Sequence, residues 1–321
     1  MPDKHTEQIA ARNAIIQASD QAARDINRFT RKVLATRGGR MGSGMGTLLE
    51  SLWGYSINRQ LRERFGDTIE LAWLADHEYN DFAVVRRNAP WAAATRDGEL
   101  FRIEAKSMVR GADESKAHFD EIEGSLGPFD LLLVLVWSWE RSDGDRVRPV
   151  INGVCLSPAR AVARVRDALH LNRGGTFVDR SRCADGCIAD ACSHHGEPLN
   201  ANGKRERGTG PEACRVSSKV SFAANFGGMV RMLKTDSDAA RATLRRLRAE
   251  DADINAFVSF IHCYFPAEEV NHFSLAEWRR LAQSVNVASD GASKSELADR
   301  IRAAVPDYQA RLVELFRPSE P

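Results

Sequence analysis

The sequence predicts a mixed α/β chain: a sheet-and-helix sandwich, then a cysteine-rich insertion, then a helical C-terminal region. Three observations lead there. Apolar residues at helical spacing fill Glu7 to Leu34 and recur from about Thr47 to Phe65. Runs rich in branched and aromatic residues then follow one another at Thr68 to Leu74, Asp81 to Arg86 and Glu99 to Met108. Four of the six cysteines fall between positions 183 and 214.

Taken in order, Ile9, Ile15, Ile16, Ala22, Ile26, Phe29 and Val33 mark the first helix. Arg37 to Gly46 is a glycine-rich break. It lacks the Gly-Lys-Ser/Thr ending of a phosphate loop and reads as a flexible connector before the second helix. Three strands come next, the third announced by the turn signal Asp97-Gly98. Helical patterning returns at Glu114 to Ile122. After Gly127-Pro128, the apolar run within Phe129 to Trp139 has the character of a strand buried on both faces. A further helix covers Pro158 to Leu171, and helices dominate after the cysteines. Helix, three strands, helix, strand is a sandwich order, distinct from an alternating nucleotide-binding fold. The expected divisions are an N-terminal helical segment (1–45), the core (46–157), a Cys/His segment (158–235) and the helical C-terminal region (236–321).

With 43% hydrophobic and 28% charged residues over 321 positions, the chain has the composition of a globular protein with a sizeable core. Its longest apolar run, Leu131 to Trp137, is too short to span a bilayer, and its N-terminus is polar. A cytoplasmic location without membrane contact is the default expectation. A net charge of +1 does not advertise a nucleic-acid partner. Local basic clusters at Arg160 to Arg173, Lys204 to Arg207 and Arg245 to Arg248 can bind phosphates, or can be solvated helix faces.

Chemistry concentrates on acids. At 100° per residue, Glu50 lies in line with Ile57 and Leu61 and beside Trp53, so a carboxylate projects from an apolar stripe. A buried carboxylate needs a cation, hydrogen bonds or a raised pKa; a stripe-edge residue reaching solvent is the alternative. In Leu100 to Ser107, Arg102, Glu104 and Lys106 share one strand face, opposite Phe101, Ile103 and Ala105. Asp81 heads an earlier strand that sheet pairing can bring beside Glu104. Two carboxylates can hold Mg²⁺ through hard oxygen ligands, and a lysine can orient the attacking water. Glu-x-Lys is a weak pattern, matched again at Glu114 to Lys116, and only its strand context selects Glu104. Otherwise Glu104 and Lys106 form an ordinary surface ion pair.

On Glu50, Asp81, Glu104 and Lys106, the stretch from Gly46 to Trp139 resembles the PD-(D/E)XK nuclease superfamily, which includes many restriction endonucleases. The resemblance implies a restriction-endonuclease-like core and an Mg²⁺-dependent endonuclease acting on double-stranded DNA, commonly as a homodimer. Asp81 and Glu104 match its metal-binding acids, Lys106 its lysine and Glu50 its auxiliary helix carboxylate. Asn80 stands where the family pattern has proline, and Asp76 is the fallback for the first acid.

Cys183, Cys187, Cys192 and Cys214 form the simplest structural zinc set, with His194 or His195 able to replace one. Such a staple would present Lys204, Arg205 and Arg207 to DNA. Reduced, buried cysteines are the alternative, as expected for Cys155 and Cys263; a His-and-metal nuclease site built on His194-His195 finds no matching partners. Ser274 to Glu277 and Ser293 to Glu296 are capping boxes that open two helices, which Trp278, Leu281, Leu297 and Ile301 can pack together. This pair resembles a SAP-type DNA-binding motif, implying phosphate contacts from Arg279, Arg280, Lys294 and Arg300; a plain helical hairpin fits equally. The expected function is a DNA endonuclease of restriction or genome defence. Its rivals are a non-catalytic, zinc-containing DNA-binding protein with a nuclease-like core, and an RNA-processing nuclease.

Overall fold

Five strands form one mixed sheet in sequence order: β1 (Ile69–Trp73), β2 (Phe82–Arg86), β3 (Glu99–Val109), β4 (Leu131–Arg141) and β5 (Val147–Pro158). β1, β2 and β3 run as an antiparallel meander, β3 and β4 are parallel, and β5 returns antiparallel to β4. The computed structural model describes residues 3–37, 42–74, 80–110, 119, 123, 126–142, 144–172, 176–177, 198–199, 205–207, 214–216, 226–235, 238–265 and 275–305. The helix expected at Glu114 to Ile122 falls almost wholly outside them, as do Asp76 and the second Glu-x-Lys match, Glu114 to Lys116.

β4 explains the layering. Its alternate residues Leu131, Leu133, Leu135 and Trp137 belong to one core, with α1 (Lys4–Val33) and α2 (Gly42–Phe65). Leu132, Val134 and Val136 belong to a second core, with α3 (Ala159–Asn172), α4 (Phe226–Thr235), α5 (Asp238–Glu250) and α6 (Ala252–Tyr264). A strand apolar on both faces is what a central position between two helical layers requires. A third, separate cluster joins α7 (Leu275–Ser284) to α8 (Lys294–Ala304) through Trp278, Leu281, Leu297 and Ile301. Ser293 and Glu296 close a reciprocal capping box on α8.

Two asparagines finish the sheet edges. On β1, the Asn58 amide donates to Leu71 O (2.7 Å) and accepts from Leu71 N (2.7 Å). On β5, Asn27 does the same for Ile151, at 2.9 and 2.8 Å. Each helix thus supplies one side chain that stands in for the missing neighbour strand, satisfying an otherwise orphaned backbone pair.

Three expectations need correction. The glycine-rich break is partly helix, because α2 begins at Gly42. β5 has no counterpart in the reading of the sequence; its signal is Asp143-Gly144, a turn dipeptide between two apolar runs. Cys263 is exposed, and Cys155 is only partly buried against the second core.

Three arginines of the basic cluster that opens on α3 have partners within the fold. Arg160 donates to Leu126 O (2.8 Å), and Arg164 pairs with Asp251 (2.8 Å). Arg166 is fully buried, donating to Phe119 O (2.7 Å) with its guanidinium 5.3 Å from the Phe119 ring centroid. These arginines fasten α3 to its neighbours.

Candidate active site

The pairing of β2 with β3 ends at Phe82↔Ile103. Beyond it Asp81 N still donates to Ile103 O (3.2 Å), which places Asp81 opposite Glu104. Then β2 departs. From Glu104 onward β3 has β4 on one side and, among the described residues, no strand on the other. The Asp81 carboxylate covers this bare edge, its Oδ2 accepting from Ala105 N at 2.7 Å. Asp81 therefore replaces a ladder bond at the point where the sheet opens.

Lys106 Nζ pairs with Glu104 Oε1, and each side chain is 12% exposed. This is no ordinary surface ion pair, which typically contributes only about 0–1 kcal/mol. Two charges in so enclosed a place depend on one another, and removing either leaves a buried charge less well compensated.

α2 delivers Glu50 to the same spot. Two glycines let the helix lie close to the sheet: a side chain at Gly46 would collide with the Ser107 hydroxyl, and one at Gly54 would come within 2.8 Å of the Phe82 and Trp73 rings. Trp53, Ile57 and Leu61, its stripe partners, are fully buried. Burial pushes the Glu50 carboxyl above its ordinary value of 4.5, and the Asp81 charge adds to this. The Ser107 hydroxyl, the Lys106 ammonium and the Ser107 backbone amide act in the opposite direction. Glu50 thus lies within electrostatic range of Asp81 and Lys106, and Lys106 in turn holds Glu104, which stands opposite Asp81. Ser107 is a member that the sequence reading overlooks; its signal is its place directly after Lys106.

Asn80 accounts for the absent proline. Its φ is 76°, a left-handed value that asparagine tolerates and a proline ring forbids. Asn80 is 5% exposed, and neither polar atom of its amide has a hydrogen-bond partner among the described residues.

Among the described residues, no three acid, histidine or cysteine side chains converge tightly enough to cage an ion alone. Asp81 and Glu104 nonetheless fit Mg²⁺, which commonly takes one or two carboxylates and completes its shell with water and phosphate oxygens.

Most of the other expected positions are outside the described residues or have only their backbones described. Cys183, Cys187, Cys192, His194, His195 and Lys204 are outside the described residues. Cys214 begins β9 (Cys214–Val216), which pairs with β8 (Arg205–Arg207); only the backbones of Cys214, Arg205 and Arg207 are described. A second short pair joins β6 (Thr176–Phe177) to β7 (Pro198–Leu199). Arg279, Arg280 and Arg300 are exposed on α7 and α8, with Arg300 donating to Ala288 O at 3.2 Å. Lys294 opens α8, its side chain outside the description. No helix among the described residues is long and apolar enough to cross a membrane. No protein-family model, no curated protein and no solved structure matches the chain.

Proposed function

We propose that the chain is an Mg²⁺-dependent endonuclease that hydrolyses DNA phosphodiester bonds, serving restriction or another genome defence. The observation that carries this reading is Asp81 standing opposite Glu104 at the open edge of β3, with Lys106 paired to Glu104 and with Glu50 close enough to feel the charges of Asp81 and Lys106. The resemblance of these positions to PD-(D/E)XK nucleases supports it, as does an antiparallel three-strand meander followed by a strand parallel to β3. Double-stranded DNA as substrate and a homodimeric assembly belong to the same proposal.

In this reading Asp81 and Glu104 hold the metal. When bound, Mg²⁺ supplies an acidified water and neutralises charge gathering on the phosphate. Lys106 exchanges its contact with Glu104 for the attacking water or a phosphate oxygen, which keeps its Nζ at the reacting centre. Glu50, its carboxyl lifted above the ordinary value by burial and by the Asp81 charge, would add a further carboxyl beside Asp81.

Plasmid cleavage in Mg²⁺ tests this. The Lys106→Ala variant should cut about 10²–10³ times more slowly, the usual effect of deleting one electrostatic contact to a transition state, while retaining DNA binding. If the wild-type chain cuts no DNA, methylated or not, the enzyme reading falls and a DNA-binding module takes its place.

A further inference from the structure

Beside the carboxylates, α2 and β1 enclose an open groove of about 270 Å³ whose lining includes Tyr55, Arg59, Arg62, Trp73 and Arg87. Its two aromatic rings stand in solvent: Tyr55 is 68% exposed and Trp73 46%. A single exposed ring is commonplace; here two line one groove among guanidinium groups, Trp73 packed on one side only and Tyr55 mostly in solvent.

Trp73 marks the end of the groove nearest the proposed site. Trp73 is the register partner of Phe82, the neighbour of Asp81, and the two rings meet edge to face at 5.6 Å. Trp73 also lies over Gly54, one helical turn beyond Glu50. From Glu50 to Arg62 the helix advances about 18 Å, long enough to follow several nucleotides.

The arginines are held ready by neighbours that can release them. Arg62 pairs with Asp67 at 3.2 Å, Arg87 with Asp67 at 2.6 Å and Glu70 at 2.7 Å, and Arg59 with Asp25. The Arg62–Asp67 pair is exposed on both sides and so is weak, and a phosphate oxygen can displace its carboxylate. A solvated ion-pair network would account for the arginines and leave the exposure of the Tyr55 ring and of the open side of Trp73 unexplained.

We propose that this groove is a stacking platform for unpaired nucleotides. Trp73 and Tyr55 stack on bases, and Arg59 and Arg62 meet the phosphates between them. The substrate is thereby narrowed to duplex DNA that opens, or is already unpaired, beside the bond to be cut. This rests on the nuclease reading for the position of that bond, but the platform is measured by binding alone.

The experiment uses the full chain in EDTA with a labelled oligothymidylate, an RNA of the same length and the corresponding DNA duplex. Wild type should bind a single strand more tightly than the duplex, the two single-strand arms identifying the preferred sugar. Trp73→Leu and Tyr55→Leu, which keep apolar bulk but lose the ring, should each weaken single-strand binding by about 5- to 150-fold, the equivalent of ~1–3 kcal/mol for one stacked base. Duplex binding should not change, and Trp73→Phe should restore most of the loss. Because Tyr55 is so exposed, its variant tests the proposal even if the Trp73 variants unfold. Unchanged single-strand binding in both leucine variants, or a preference for duplex, overturns the platform. If the wild type cleaves yet ignores these substitutions, the platform alone is wrong; if binding depends on both rings but nothing is cut, the platform stands without the nuclease.

Discussion

Glu50 is a buried carboxyl whose placement carries a cost if no cation is bound. Its carboxyl is lifted chiefly by burial and then by Asp81, so folding favours its protonated form. A folded-state value above the unfolded one gives a stabilising contribution that is complete below about pH 4.5. That contribution is lost as pH rises through the raised folded value. At neutral pH without metal, an ionised Glu50 therefore weakens the fold. Glu50→Gln, similar in shape, should raise the Tm in EDTA at neutral pH by about 2–4 °C for each kcal/mol relieved. The gain should vanish in acid, and added Mg²⁺ should stabilise wild type more than the variant. Thermal unfolding across pH checks this; a Tm that falls or stays unchanged at neutral pH would mean that Glu50 carries no electrostatic burden. Asn80 makes a complementary point at the same scale. A left-handed backbone and an unpartnered buried amide immediately before Asp81 are costs tolerated where the chain must turn sharply into a site.

Elements hold these residues in place through side chains that act as backbone. Asn58 ties α2 to β1, and Asn27 ties α1 to β5. Asn58→Ala should leave the amide and carbonyl of Leu71 unpaired and cost roughly 1–3 kcal/mol, while Asn58→Asp, keeping only the acceptor, should cost at least as much. Denaturant unfolding measures both; a loss within error of zero would show that water replaces the amide. Such docking explains what is legible in the sequence. α1, α2, β3 and β4 can be read because each carries its own periodicity, and Glu50 can be singled out because it interrupts one. β5 cannot, since Arg148, Asn152 and Gly153 break its alternation, and Asn152 is bulged out between the pairs Val136↔Gly153 and Trp137↔Ile151. The start of α2 is hidden for the opposite reason. Glycine propensity argues against a helix there, yet close approach to Ser107 demands it at Gly46. Within the site, the alternation of β3 discloses Glu104 and Lys106, but where β2 leaves the sheet is a tertiary fact.

For the whole molecule, β4 is the wall between two cores. Leu133 belongs to the core under α1 and α2, and Val134 to the core under α3 through α6. Neither helical layer can loosen without exposing one face of the strand that also braces β3, so the two cores should unfold together. Among the described residues, the α7–α8 cluster shares no member with either. Leu133→Ala should therefore lower the main unfolding transition by about 2–5 kcal/mol, the range for deleting a buried leucine side chain. Leu297→Ala should leave that transition in place and instead accelerate amide exchange across residues 275–305. Calorimetry paired with hydrogen exchange separates the two cases. If Leu297→Ala depresses the main transition as much as Leu133→Ala, the C-terminal pair is part of the central cooperative unit. If it does not, the exposed Arg279 and Arg300 ride on a unit that can open while the carboxylates beside β3 stay fixed. A nuclease could then adjust its hold on a substrate without disturbing the chemistry.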